Sequence, residues 1–217
     1  MDLIINNISK QFKDNVVLEN VNMKLKGNNI YGFIGRNGSG KSVLLKIICG
    51  FYSPTSGWIT LNGDNYLQRK SFPKDTRALI ERPCFLPELS GLDNLKLLAS
   101  IQNKIDEKEI LRYMKMLNLD KDIYKKYNKY SLGTKQKLGI VQVLMESPNL
   151  IILDEPFNGI EEKTVRIVKK MLLEEKNKGK IIIIASHIKD DILDLADDVF
   201  EFDNGTVRKI SSKKWKK

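Results

Sequence analysis

The sequence predicts an α/β fold with a mixed, mostly parallel sheet, and three observations carry that expectation. An apolar segment, Ile30 to Ile34, runs straight into the glycine-rich stretch Gly35-Arg-Asn-Gly-Ser-Gly-Lys-Ser42, and an amphipathic helical pattern follows it. Two later runs, Leu150 to Leu153 and Ile181 to Ala185, have the continuous hydrophobicity of parallel strands buried on both faces. A mostly helical stretch, about residues 82 to 148, separates the first half of this pattern from the second.

The elements follow in order. Leu3 to Ile5 and Val16 to Leu18 read as N-terminal antiparallel strands, and Ile30 to Ile34 as the strand that feeds the glycine loop. Lys41 to Cys49 sets Val43, Leu44, Ile47 and Ile48 at helical spacing, with Gly50 in the stop position. Trp58 to Leu61 lies between the turn signals Ser56-Gly57 and Asn62-Gly-Asp64. Leu92 to Ile101 and Glu107 to Leu117 predict helices, the second with Ile110, Met114 and Leu117 on one face. Another helix begins at Ser131 and carries the stripe Leu138, Val141, Leu144 and Met145. Glu161 to about Lys176 predicts a helix with Val165, Val168 and Leu172 aligned. Val199 to Phe202 and Thr206 to Ile210, split by Asn204-Gly205, predict a terminal hairpin. The expectation is one domain, with a core at about 1–81 and 149–217 and a helical subdomain at about 82–148.

Composition narrows the function classes. A chain of 217 residues, 41% hydrophobic and 29% charged, suits a soluble globular domain with one core. Cys49 and Cys84 are too few for a disulfide framework and lack metal-like spacing, so a reducing cytosol is expected. The N-terminus has no basic segment followed by an apolar one, so no signal peptide is expected. No apolar run approaches the ~20 residues that cross a bilayer, so any membrane role should come through a partner. The net charge of +10 is scattered, with local runs at Lys121 to Lys126 and Lys213 to Lys217 that hold one aromatic each. That pattern reads as a solvated surface, and no nucleic-acid partner is expected.

The motifs carry the chemistry. Gly35 to Ser42 fits G-x-x-x-x-G-K-[ST], a loop whose backbone N–H groups cradle nucleotide phosphates. Gly35, Arg36, Asn37, Gly38, Ser39, Gly40, Lys41, Ser42 and the adjoining Val43 are therefore expected to bind the nucleotide. Lys41 should sit between the β- and γ-phosphates, and Ser42 should offer its hydroxyl to Mg²⁺. Asp154 ends a buried strand, where a carboxylate is costly unless a cation meets it, so it is the candidate metal acid. Glu155 beside it is the candidate general base for the attacking water. His187, at the end of the next apolar strand, is the candidate donor to charge developing on the terminal phosphate.

Taken in this order, the motifs resemble the nucleotide-binding subunit of ATP-binding cassette (ABC) transporters over nearly the whole chain. Gly35 to Ser42 resembles the family's Walker A motif, Ile151 to Glu155 its Walker B motif, and His187 its switch histidine. Tyr130-Ser-Leu-Gly-Thr134 resembles the signature Leu-Ser-Gly-Gly-Gln, keeping Ser131 and Gly133, and Gln136 matches a glutamine that commonly follows. Asn158-Gly-Ile-Glu161 resembles the D-loop with Glu for the usual Asp, and Phe12 resembles the aromatic residue that stacks on adenine. The loop Ala78-Leu-Ile-Glu81-Arg-Pro83 resembles the Q-loop with Glu81 in place of Gln, and Glu81 is a further candidate metal ligand. The departures resemble the bacitracin and lantibiotic export and self-immunity branch.

The resemblance implies a P-loop NTPase fold with a RecA-like core and an ATPase that uses ATP and Mg²⁺. It also implies a homodimer or pseudo-symmetric pair that sandwiches ATP between one copy's phosphate loop and the other copy's Ser131 and Gly133. A separate integral-membrane permease would be the partner, docked near Glu81 to Pro87, with the chain at the cytoplasmic face of the membrane. The other reading compatible with the charge is a soluble ATPase of the same type acting on ribosomes or nucleic acid.

Overall fold

In this computed structural model, residues 1–210 are described, the side chain of residue 191 excepted; the lysine run at 213–217 lies outside the described residues. In chain order they form β1 (Asp2–Phe12), β2 (Asn15–Lys26), β3 (Asn29–Gly35), α1 (Lys41–Ile48), β4 (Ser56–Leu61), β5 (Thr76–Leu79), α2 (Gly91–Ala99) and α3 (Glu107–Met116). Next come α4 (Leu132–Leu144), β6 (Leu150–Asp154), α5 (Glu162–Asn177), β7 (Ile181–Ser186), α6 (Asp190–Leu193), β8 (Asp198–Asp203) and β9 (Thr206–Ile210).

The strands make two sheets, one in the order β2-β1-β4 and one in the order β5-β6-β7-β3-β8-β9. The first is antiparallel. In the second, β5, β6, β7, β3 and β8 run parallel and β9 closes the edge antiparallel to β8. Alternation explains the isoleucine run of β7. Ile181, Ile183 and Ala185 face one core cluster with α1 and the small sheet, while Ile182 and Ile184 face the other with α2 to α5. Both faces are covered, so no position before the terminal Ser186 calls for a polar residue.

The adjacency β6-β7-β3 positions the site. These strands end at Asp154, Ser186 and Gly35, so their carboxyl ends meet along one edge, where ligands bind in open α/β sheets. The turns leaving that edge are the expected functional loops.

Two features depart from the sequence expectation. β1 and β2 are much longer than the expected three-residue strands, because a bulge breaks the alternation that would reveal them. Ile5 and Ile8 are both buried although three residues apart, and the register shifts between them at Asn7, with φ 49°. The short edge strand β5, Thr-Arg-Ala-Leu, has no strand-like alternation and carries Arg77, whose guanidinium pairs with the buried Glu146.

Away from the site edge, Lys180 before β7 and Glu175 on α5 form a buried ion pair, and Ser147 donates to the same carboxylate at 2.9 Å. Glu175→Ala leaves an ammonium buried without its counter-charge and should cost about 3 kcal/mol in urea unfolding. A loss under about 1 kcal/mol would show that the pair is no stronger than an exposed one.

Candidate functional site

A cleft of about 610 Å³ opens at the carboxyl ends of the strands, bordered by residues 37–43 together with Glu81, Asp154, Glu155 and Asn158. The loop between β3 and α1 needs its glycines for geometric reasons. Gly40 caps α1 with φ 101°, and a Cβ there would fall 2.7 Å from Leu18 and 2.9 Å from the Val17 carbonyl. Any side chain would be both strained and blocked. With no side-chain cap on α1, its first N–H groups and the positive end of its dipole face the cleft.

Lys41 is buried and donates to the carbonyls of Gly35 at 2.7 Å and Arg36 at 3.1 Å. Burial pulls its pKa below the ordinary lysine value, and the charges of Glu155 and Asp154 act against that shift. Asp154 is 4% exposed, and its carboxylate accepts from the Ser42 hydroxyl at 2.5 Å. Burial raises its pKa above the ordinary 3.8; the Ser42 hydrogen bond lowers it and the nearby Glu155 raises it further.

These residues fit a polyphosphate with its magnesium ion. The Ser39 hydroxyl is buried without a hydrogen-bond partner, in the cradle where a phosphate oxygen would accept from it. Asp154 is a desolvated acid with a hydroxyl beside it, an oxygen donor set suited to Mg²⁺. Among the described residues no three His, Cys, Asp or Glu side chains form a cage. Magnesium bound with nucleotide needs only one or two protein ligands, since phosphates and water supply the others.

Glu155 sits in the left-handed region at φ 48°, a conformation that costs of order 1 kcal/mol or more for a residue with a side chain. Its N–H still donates to Ala185 at 2.9 Å, extending the β6-β7 ladder by one residue. Three donors fix its carboxylate: the His187 N–H at 2.8 Å, the Ser186 hydroxyl at 3.2 Å and the His187 ring, whose Nδ1 lies 2.7 Å from Oε1. The structure thus brings Glu155 and His187 together. Ser186 is the residue that sequence reasoning missed here, although its place at the end of β7 was visible.

The remaining candidates lie around this centre. Glu81, with φ 63°, borders the same cleft, but its carboxylate pairs with Lys46 of α1 at 2.5 Å. Lys46 was not singled out from the sequence. Phe12 is 40% exposed, edge-on to Tyr52 at 5.6 Å with the Lys10 ammonium over its ring, and it does not line the cleft. Ser131 caps α4 by accepting from the Thr134 N–H at 3.1 Å. Gly133 packs on the loop after β6, where a Cβ would lie 2.4 Å from the Gly159 carbonyl. Neither Ser131 nor Gly133 lines the cleft of its own chain; Leu132 and Gln136 do, and Gln136 donates to the carbonyls of Glu155 and Pro156.

Asp154 binds its proton more tightly folded than unfolded, so its ionisation opposes folding as pH rises above 3.8. Asp154→Asn should therefore raise the melting temperature of nucleotide-free protein at neutral pH, with the gain fading as pH falls through the raised folded value and gone below 3.8. The same variant should lose the extra stabilisation that Mg²⁺ with ATP gives the wild type. A variant that melts below wild type at neutral pH would contradict this account of the buried acid.

Three comparisons bear on these residues. The family model for ABC transporters matches residues 18–158. The ABC transporter ATP-binding protein YybJ of Bacillus subtilis (strain 168) is 39% identical, covering 96% of this chain and 97% of its own. The lantibiotic transport ATP-binding protein SrtF of Streptococcus pyogenes is 35% identical, covering 90% of this chain and 84% of its own. The bacitracin transport ATP-binding protein BcrA of Enterococcus faecalis is 34% identical over 88% of this chain, which spans 63% of BcrA. A solved ATP-binding subunit of an ABC transporter superposes with TM-score 0.87 at 26% identity, covering 97% of this chain and 90% of the other. The dimeric cassette MJ0796 bound to ADP and Pi shares the fold, with TM-score 0.87 at 22% identity, covering 97% of this chain and 98% of its own.

Proposed function

The chain belongs to the ABC transporter family as an ATP-binding subunit, and on that premise we propose that its cleft binds Mg²⁺ with ATP and hydrolyses the terminal phosphate. The α/β P-loop fold is that of ABC cassettes. The observation that carries the catalytic reading is Glu155, an acid held by three donors beside the buried Asp154 and the phosphate loop.

In this reading the N–H groups of residues 37–42 and the ammonium of Lys41 bind the phosphates, and Phe12 stacks on the base. Ser42 and Asp154 would hold Mg²⁺, with Glu81 at the rim of the same cleft. Bound there, the ion would offset negative charge on the phosphate oxygens. Glu155 accepts a proton from water as that water's oxygen bonds to the γ-phosphorus. The bond from the γ-phosphorus to the bridging oxygen breaks, and the electron pair leaves with ADP. His187 keeps the Glu155 carboxylate in place through its backbone N–H and its Nδ1, and its ring would donate to the terminal phosphate only when both ring nitrogens carry protons.

Ser131 and Gly133 do not line their own cleft, which supports their serving the ATP of a second copy. The cap at Ser131 leaves the start of α4 with free N–H groups suited to a phosphate. In this reading the helical segment, about residues 82 to 148, is a subdomain that carries Ser131 into and out of that contact. Among the described residues no helix is long and apolar enough to cross a membrane. A membrane-spanning permease at the cytoplasmic face would therefore receive the work, docking at the groove lined by Cys84, Phe85, Leu86 and Leu97, where Leu86 is half exposed. BcrA and SrtF are named for bacitracin and lantibiotic transport, which supports transport of an antibiotic or peptide cargo; in this reading the direction is export, and a lipid-like cargo is the other candidate.

Glu155→Gln keeps the shape and one acceptor oxygen but replaces the other with an amide donor and removes the base. Phosphate release should fall about 10²- to 10⁴-fold with ATP affinity retained. Size-exclusion chromatography of this variant with ATP and Mg²⁺ should show a dimer that the nucleotide-free protein lacks. Turnover equal to wild type would remove Glu155 from the catalytic role.

A further inference from the structure

Glu81 raises an electrostatic difficulty. Its carboxylate borders the cleft that already holds Asp154 and Glu155, and its charge adds to the forces raising the Asp154 pKa. A third acid facing a polyphosphate would repel it. The Glu81 side chain is 64% exposed, and the ion pair that holds it comes from α1, outside its own loop.

Lys46 resolves this. It lies one helical turn beyond Ser42 on α1, and its side chain is only 21% exposed. Its ammonium pairs with Glu81 at 2.5 Å and lies 5.5 Å from the centre of the Tyr52 ring, which meets Phe12 edge-on. The hydrogen bond to Glu81 leads the causes that raise the Lys46 pKa, so the amine stays charged. A largely covered, ring-packed cation thus holds an exposed anion. The row Phe12, Tyr52, Lys46 and Glu81 joins the aromatic surface beside the loop to the rim of the phosphate cleft.

We propose that Lys46 is a positioning residue that pins the Glu81 carboxylate at the cleft rim, so that this acid does not swing toward the phosphates of a bound nucleotide. The inference rests on the cleft being the nucleotide site, and it deepens that reading by assigning the counter-ion of Glu81. Lys46 acts through Glu81, not by touching nucleotide.

The test is a double-mutant cycle read by equilibrium binding of a fluorescent ATP analogue to the full chain, with EDTA present so that neither metal nor turnover enters. Wild type must bind the probe; if it does not, the nucleotide reading itself fails. Given binding, Lys46→Met should weaken affinity about threefold more beside Glu81 than beside Gln in the Glu81→Gln background. Lys46→Arg, which keeps the pair, should bind like wild type. If Lys46→Met does not fold, Lys46→Gln makes the same comparison. Equal losses in the two backgrounds would mean that Lys46 acts only as a distant positive charge, and the inference falls while the nucleotide site stands. Failure of Lys46→Arg to restore binding would overturn it as well.

Discussion

Everything at this site depends on charge held away from water at the end of a parallel sheet. Lys41 and Asp154 are both buried, and burial drives both toward neutrality, lowering one pKa and raising the other. Their partners here are local and weak for such groups: two backbone carbonyls for the ammonium and one hydroxyl for the carboxylate. In the proposed reading a polyphosphate with a divalent cation would supply what each lacks, anion to the lysine and cation to the aspartate. The fold tolerates this arrangement because the central strands β6, β7 and β3 pack apolar residues into core clusters on both faces of the sheet.

The same constraint explains which parts of the site could be read from the chain. The phosphate loop is contiguous, and each residue there has a backbone or charge requirement that only a few residue types meet. Asp154 and Glu155 were legible because two acids close a run of apolar residues, and the strand Ile181 to Ala185 because it is buried on both faces. The pairing of Glu155 with Ser186 and His187 needed only the adjacency of β6 and β7, which parallel pairing supplies. Lys46 with Glu81 was not legible. Those residues are 35 positions apart, one on a helix and one on a loop after an edge strand that leaves no pattern. β1 was obscured for another reason: its bulge at Asn7 puts Ile5 and Ile8 on one face and destroys the period of two.

The signature segment illustrates a division of labour within one helix. Ser131 satisfies the start of α4 as any cap would, and Gly133 is required by its contact with the Gly159 carbonyl. Both residues thus have structural duties inside this chain, independent of any second copy. Tyr130, where the family signature has Leu, is also structural: its hydroxyl donates to the Asp122 carbonyl at 2.6 Å and its ring packs near Tyr127. The substitution therefore alters the support of the helix and leaves the N–H groups at its start untouched.

Backbone conformation links the two unusual acids. Glu81 and Glu155 both have positive φ, and both leave neighbouring parallel strands within two residues of the strand end. A left-handed residue at that point turns the chain sharply, so each carboxylate is delivered to the cleft edge. Each costs of order 1 kcal/mol relative to glycine. At these two positions glycine would relieve the strain but carry no carboxylate. For Glu155 the use is visible in its three donors. For Glu81 what is visible is the lysine that meets it and holds it at the cleft rim.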